Sequence, residues 1–180
     1  MTKIISLFQR NYDGDRLVRD EVVPGAEWVI EGEGVATRKW DGTCCMVEDG
    51  FLLKRYTAKK GKSVPCSFLA ATDIDEVTGK IEGWLRVGKG PEDKWHREAF
   101  HGDEVPGTYE LCGPKVQGNP EEFLHHLLIP HGNHLVDAPR EYETLKEWLK
   151  IAGIEGVVWH HPDGRMVKIK AKDFGIKRTK

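Results

Sequence analysis

Thr43-Cys44-Cys45-Met46-Val47-Glu48-Asp49-Gly50-Phe51-Leu52-Leu53-Lys54-Arg55-Tyr56-Thr57 reads as a β-hairpin. Two apolar runs, 43–48 and 51–57, flank Asp49-Gly50, and Asp-Gly readily takes the positive φ angles of a tight turn. Just upstream, residues 34–40 read as extended chain that Asp41-Gly42 interrupts. Further upstream, residues 3–8 predict a short strand, and Pro24-Gly25 marks a turn. Downstream, Gly79, Gly83, Gly88 and Gly90 punctuate weak helical patterns near 76–87 and 92–100, so residues 66–101 predict short helices and loops. Residues 107–113 predict a strand. Asn119 as N-cap and Pro120 at the first helical position predict a helix through Phe123, Leu124, Leu127 and Leu128, ended by Pro130. Residues 141–152 form an amphipathic pattern on Leu145, Trp148 and Leu149, closed by Gly153. Two strands, 154–159 and 165–171, finish the chain around Pro162-Asp163-Gly164. The sum is an α+β fold rich in antiparallel hairpins, with no composition shift to mark a boundary: a single domain over residues 1–180.

Charge is nearly balanced, 27 Lys+Arg against 29 Asp+Glu, a formal net charge of -2. Nucleic acid would therefore have to be held by a local basic face and not by the molecule as a whole. Two runs offer one: Lys54, Arg55, Lys59, Lys60 and Lys62, then Lys168, Lys170, Lys172, Lys177, Arg178 and Lys180. Solvated surface is the other reading of both. The four cysteines, Cys44, Cys45, Cys66 and Cys112, show no CxxC pair. No signal peptide or membrane-length apolar stretch is present, which leads us to expect a cytoplasmic protein with free thiols and no membrane partner. His125-His126, His131, His134 and His160-His161 match no zinc spacing with the cysteines.

The chemistry centres on Lys39-Trp40-Asp41-Gly42. Residues two apart on a strand share a face, so Lys39 and Asp41 point one way and Trp40 the other. Alone this fragment is weak evidence. It is followed in order by Lys54-Arg55-Tyr56, by Tyr109-Glu110-Leu111-Cys112-Gly113, by Glu155-Gly156-Val157-Val158 and by Lys168-Ile169-Lys170. Each taken singly is also ordinary: Glu110 suits a solvent-facing strand, and lysines at 168 and 170 suit an edge strand.

In this order the fragments resemble the covalent nucleotidyltransferase superfamily of ATP-dependent DNA ligases, RNA ligases and capping enzymes, over residues 37 to 170. The resemblance implies an antiparallel, β-rich adenylation domain and ATP as AMP donor. Lys39 would be the nucleophile that becomes lysyl-AMP, with Asp41 anchoring its loop. Thr37 and Arg38 would join it in the nucleotide site. Glu110 would receive the ribose hydroxyls, and Arg55 the ribose or phosphates. Glu155 would hold Mg²⁺ or Mn²⁺, and Lys168 and Lys170 the α-phosphate. The residue stacking on adenine stays open among Trp159, Tyr109 and Phe123.

Only ten residues follow Lys170, too few for the OB-fold domain that usually follows this motif in DNA ligases and capping enzymes. Gly118-Asn119-Pro120 and Pro130-His131-Gly132 further resemble a compact group of 5′–3′ RNA ligases. The resemblance thus implies RNA with 5′-phosphate and 3′-hydroxyl ends as substrate, the 5′-phosphate meeting the Lys54–Lys62 run. DNA nick sealing or end adenylation without an OB domain is a second reading. A nucleotide- or RNA-binding module without catalysis is a third.

Overall fold

The Asp49-Gly50 turn forms as predicted, with φ of 50° and 75° at its two residues. Such angles suit a glycine and tolerate an aspartate, and their twist matches that of the strands they join. The computed structural model describes residues 4–59 and 61–178. They fall into two units, residues 41–131 and residues 4–40 with 132–178, each built on sheets of its own. Lys3, Lys60 and Lys180 of the predicted strand and basic runs lie outside the described residues.

Residues 4–40 supply β1 (Ile5–Ser6), β2 (Phe8–Arg10), β3 (Val18–Val22), the short α1 (Glu27–Ile30) and β4 (Val35–Lys39). The single strand predicted near the start is two, separated by the fully buried Leu7.

Residues 41–131 form β5 (Thr43–Glu48), β6 (Phe51–Ala58), β7 (Leu69–Ala70), β8 (Ile81–Arg86), α2 (Lys94–Ala99), β9 (Gly107–Cys112) and β10 (Leu127–Pro130). Their antiparallel sheet has the order β10-β9-β5-β6-β8-β7. Two predicted helices are corrected here. Residues 81–86 are strand β8, paired along their length with β6. Gly83, Trp84 and Leu85 are buried in succession, so the alternation that signals a strand is missing. The helix predicted after Asn119 is a turn followed by β10, which pairs with β9. Gln117, Asn119 and Glu122 all have positive φ, which no α-helix accommodates. Asn119 instead exchanges side-chain hydrogen bonds with the backbone N–H and C=O of Phe123, at 3.0 Å each. The helix predicted over 92–100 is present as α2 after a 3₁₀ turn at Pro91–Asp93.

Residues 132–178 add α3 (Tyr142–Ala152), β11 (Gly156–His160), β12 (Met166–Lys170) and a 3₁₀ turn over Ala171–Phe174. The sheet runs β1-β12-β11-β4, with β1 parallel to β12 and the other pairs antiparallel. Val157, Trp159, Val167 and Ile169 project from one face of this sheet and are at most 1% exposed. They share a core with Leu145 and Leu149 of α3 and with Phe8. Each such side chain contributes roughly 1.5–3 kcal/mol by leaving water. In the other unit Cys45, Val47, Leu52, Tyr109, Leu111 and Val116 form a separate core. Among the described residues no helix is long and apolar enough to cross a membrane.

Candidate active site

The core face of the β4, β11, β12 sheet determines what the opposite face carries. Gly156 is paired with Lys39 on one side and Lys170 on the other; Val158 is paired with Thr37 and Lys168. Side chains alternate along strands, so Lys39, Thr37, Lys168 and Lys170 all lie opposite the Val157–Ile169 core. Glu155 stands immediately before β11, and its carboxylate joins two of them. Lys39 Nζ donates to Oε2 at 2.5 Å and Lys170 Nζ donates to Oε1 at 2.6 Å. Lys39 Nζ also lies 3.4 Å from its neighbour's carbonyl, Trp40 O. The chain around Lys170 is fixed in turn: its backbone N–H donates to Asp173 Oδ2 at 3.0 Å, and Arg10 pairs with Oδ1 of the same residue.

Glu155 is 8% exposed. Burial alone would raise its pKa, but the charges and hydrogen bonds of Lys39 and Lys170 outweigh it, and the group sits below its ordinary value. It is therefore a carboxylate at neutral pH, clamped between two amines. Its oxygens are hard donors, so the residue fits a Mg²⁺ or Mn²⁺ as well as the ammonium groups it now accepts from.

The unit of residues 41–131 holds its own polar arrangement. Gly42 N–H donates to Glu110 Oε1 at 3.1 Å, and the other oxygen of Glu110 lies 2.8 Å from His131 Nε2. A Cβ on Gly42 would stand 2.2 Å from Leu111 O, so only glycine lets this loop lie against β9. Asp41 N–H donates to Glu121 Oε1 at 3.2 Å. Arg55 lies on β6 and its Nε donates to Glu82 Oε2 at 3.2 Å. Continuing the β5–β6 register places Arg55 opposite Cys44, and Cys44 is paired with Glu110, so Arg55 and Glu110 share a sheet face.

The structure thus brings Lys39, Glu155 and Lys170 into contact and places Thr37 and Lys168 on their face. Thr37 is buried, with Oγ1 3.2 Å from Val158 O and 3.0 Å from His160 Nε2. Arg38 points to the other face, its guanidinium 3.9 Å above the Trp40 ring. Of the three aromatic candidates, Trp159 is wholly buried and Tyr109 is 4% exposed with its hydroxyl donating to Val105 O, whereas Phe123 is half-buried. In the basic run, Lys54 is committed to the buried Asp93 at 2.5 Å, while Lys59 and Lys62 are exposed. His125 and His126 precede β10 in a loop and not on the predicted helix; His126 is buried between Glu98 and the N–H of Lys115. Sequence reading gave His131 no definite role beside Glu110. No spacing along the chain signals it, because the pairing of β10 with β9 is what brings it beside Glu110.

Residues 99–180 match the family model described as RNA ligase 1. That span contains Glu110, Glu155, Lys168 and Lys170. The chain is similar to RNA ligase 1 of Danio rerio, at 33% identity over 79% of this chain and 67% of that protein. It is similar over the same shares to RNA ligase 1 of Rattus norvegicus at 27% identity and of Pongo abelii at 24%.

Proposed function

The chain belongs to the RNA ligase 1 family, and from that premise we propose that it is an ATP-dependent ligase that joins a 5′-phosphate RNA end to a 3′-hydroxyl end through lysyl-AMP. The observation that carries this reading is the contact of Lys39 and Lys170 with the two oxygens of Glu155 on one sheet face. A nucleophilic amine, a buried carboxylate and a second cation are the groups that attack on a phosphate needs.

In the first step Lys39 Nζ attacks the α-phosphorus of ATP. A P–N bond forms, the P–O bond to the β-phosphate breaks, and pyrophosphate leaves. A free lysine has a pKa of about 10.4, so Lys39 must shed a proton before attack. Glu155 Oε2 accepts an N–H of the amine and fixes its position, and the proton that Lys39 loses passes to solvent. Lys170 and Lys168 then offset the negative charge that grows on the α-phosphate oxygens. Glu155 would hold a Mg²⁺ or Mn²⁺, which would add positive charge that favours the neutral amine and screens the phosphates. In the second step an oxygen of the RNA 5′-phosphate attacks the AMP phosphorus, the P–N bond breaks, and Lys39 regains its proton. In the third the 3′-hydroxyl attacks the 5′-phosphorus, a phosphodiester forms and AMP leaves. Glu110 and Arg55 keep the ribose and phosphate roles that the resemblance implies, and Lys59 and Lys62 remain for the 5′-phosphate. The same resemblance supports a nucleotidyltransferase adenylation fold.

The test is the intact mass of the protein after incubation with ATP and Mg²⁺, beside Lys39→Ala. A gain of one AMP that survives denaturation and is lost in the variant is expected. An adduct that persists in Lys39→Ala would sink the proposal, as would no adduct with ATP or GTP from protein that starts at its unmodified mass. Faster sealing of nicked duplex DNA than of RNA ends would transfer the activity to DNA.

A further inference from the structure

Three neighbouring strands of the 41–131 unit place three different metal-binding side chains together. Cys44 of β5 is paired with Glu110 of β9, so the two side chains leave the same face. His131 directly follows β10, and its N–H donates to Thr108 O, two residues from Glu110 along β9. A separation of two keeps it on that face as well. One ligand atom from each, a thiol sulfur, a carboxylate oxygen and an imidazole nitrogen, lies within 4.8 Å of the other two. The neighbouring Cys45 points the opposite way into the core.

We propose that Cys44, Glu110 and His131 form a binding site for a thiophilic divalent cation of the Zn²⁺ type. Around tetrahedral zinc, bonds of 2.0–2.3 Å set ligand atoms roughly 3.3–3.8 Å apart. Ligand atoms up to 4.8 Å apart would have to close by about 1–1.5 Å, and His131 Nε2 and Glu110 Oε2, now 2.8 Å apart, would have to open by about 0.5 Å to reach that spacing. The donor set selects the cation: thiolate and imidazole favour zinc or cobalt, while magnesium takes oxygen. Glu110 is already oriented from behind, because Gly42 N–H holds Oε1 and leaves Oε2 toward His131. Cys44 and His131 are half-exposed, giving the ion a path from solvent. On binding, Cys44 loses its thiol proton to solvent and the sulfur bonds the metal. The hydrogen bond between His131 Nε2 and Glu110 Oε2 is replaced by two metal bonds, with the imidazole proton on Nδ1. Three protein ligands leave a fourth position for water.

The test is titration of the whole protein with Co²⁺, reading the thiolate-to-cobalt charge-transfer band, followed by displacement with Zn²⁺. One Co²⁺ per chain is expected, with the band lost in Cys44→Ser, the affinity at least tenfold weaker in His131→Gln, and both unchanged in Cys66→Ser, which alters the exposed cysteine. Absence of the band in the parent protein, its survival in Cys44→Ser, or its loss in Cys66→Ser overturns the site. Should Cys44→Ser fail to fold, as circular dichroism would show, His131→Gln decides: undiminished affinity there overturns the assignment. An ion on Glu110 Oε2 and ribose hydroxyls on the same oxygen exclude each other, but the binding readout needs neither ATP nor ligation, so this proposal and the ligase reading fail separately.

Discussion

Glu155 shows how one side chain can shape both stability and chemistry. Its carboxylate has a pKa below the usual 4.5 because Lys39 and Lys170 hold the charged form against the cost of burial. A depressed carboxylate pKa stabilises the fold above the unfolded value, and that contribution is lost as pH falls through the folded one. Glu155→Gln is expected to cost about 1–3 kcal/mol at neutral pH, since it leaves two half-buried amines without their counter-charge. The gap to the parent protein should narrow as pH falls below the ordinary 4.5 and through the lower folded value, a trend urea unfolding across pH would show. Adenylation in that variant should fall at least ~100-fold. Lys54 makes the complementary case. It balances Asp93, which is 2% exposed and also accepts from Gly88 N–H at 2.7 Å. Lys54→Met should destabilise by about 3 kcal/mol, a larger loss than Lys59→Met, which removes an exposed charge. Equal midpoints for the two lysine variants in chemical denaturation would refute the structural role. The Lys39, Glu155 and Lys170 residue types were legible in order along the sequence. The pairing of Arg38 with Trp40, and of Lys54 with Asp93, was not, because each depends on which way one strand faces.

Elements whose cause is local were readable, and elements whose cause is distant were not. Asp49-Gly50 carries its own turn, and α3 carries both its apolar stripe and its stop at Gly153, so both stand where the sequence placed them. The α3 stripe predicts its own energetics: Leu149 is 1% exposed against the sheet core, and Leu149→Ala should lower stability by about 2–5 kcal/mol. Thermal melting would read this, with Ile151→Ala, an 88% exposed position on the same helix, as the near-silent comparison. β8 and β10 were misread for opposite reasons. β8 is covered on both sides and lost its alternation. β10 inherits Leu127 and Leu128 at a spacing from Phe123 and Leu124 that mimics a helix face, while the positive φ angles at 117, 119 and 122 leave no trace in composition. The Cys44–Glu110–His131 cluster needs three strands in register, so no spacing rule along the chain finds it.

At the scale of the molecule, the α+β class and the predominance of antiparallel pairing were legible, because hairpin turns punctuate the sequence throughout. The two units were not, since both are made of the same kinds of strand and one of them is assembled from separated stretches. The net charge of -2 also belongs to this scale. A molecule without a bulk positive field grips RNA through few phosphates, so the logarithm of affinity should fall with the logarithm of salt at a slope no steeper than about -3. Fluorescence anisotropy of a labelled 5′-phosphorylated RNA across salt concentrations would measure it; a slope near about -8 would imply an extended basic tract.

The pairing of β1 with β12 has a consequence for the order of assembly during synthesis. Residues 41–131 contain every strand of their sheet, so that unit can close while the ribosome is still adding α3, β11 and β12. The other sheet cannot. Its first strand and β4 emerge early, yet both wait for β11 and β12, so Lys39 acquires Glu155 and Lys170 as partners only after those late strands have left the ribosome. Contacts of such wide sequence separation form slowly, and the surroundings of Lys39 therefore mature later in the nascent chain than the 41–131 sheet.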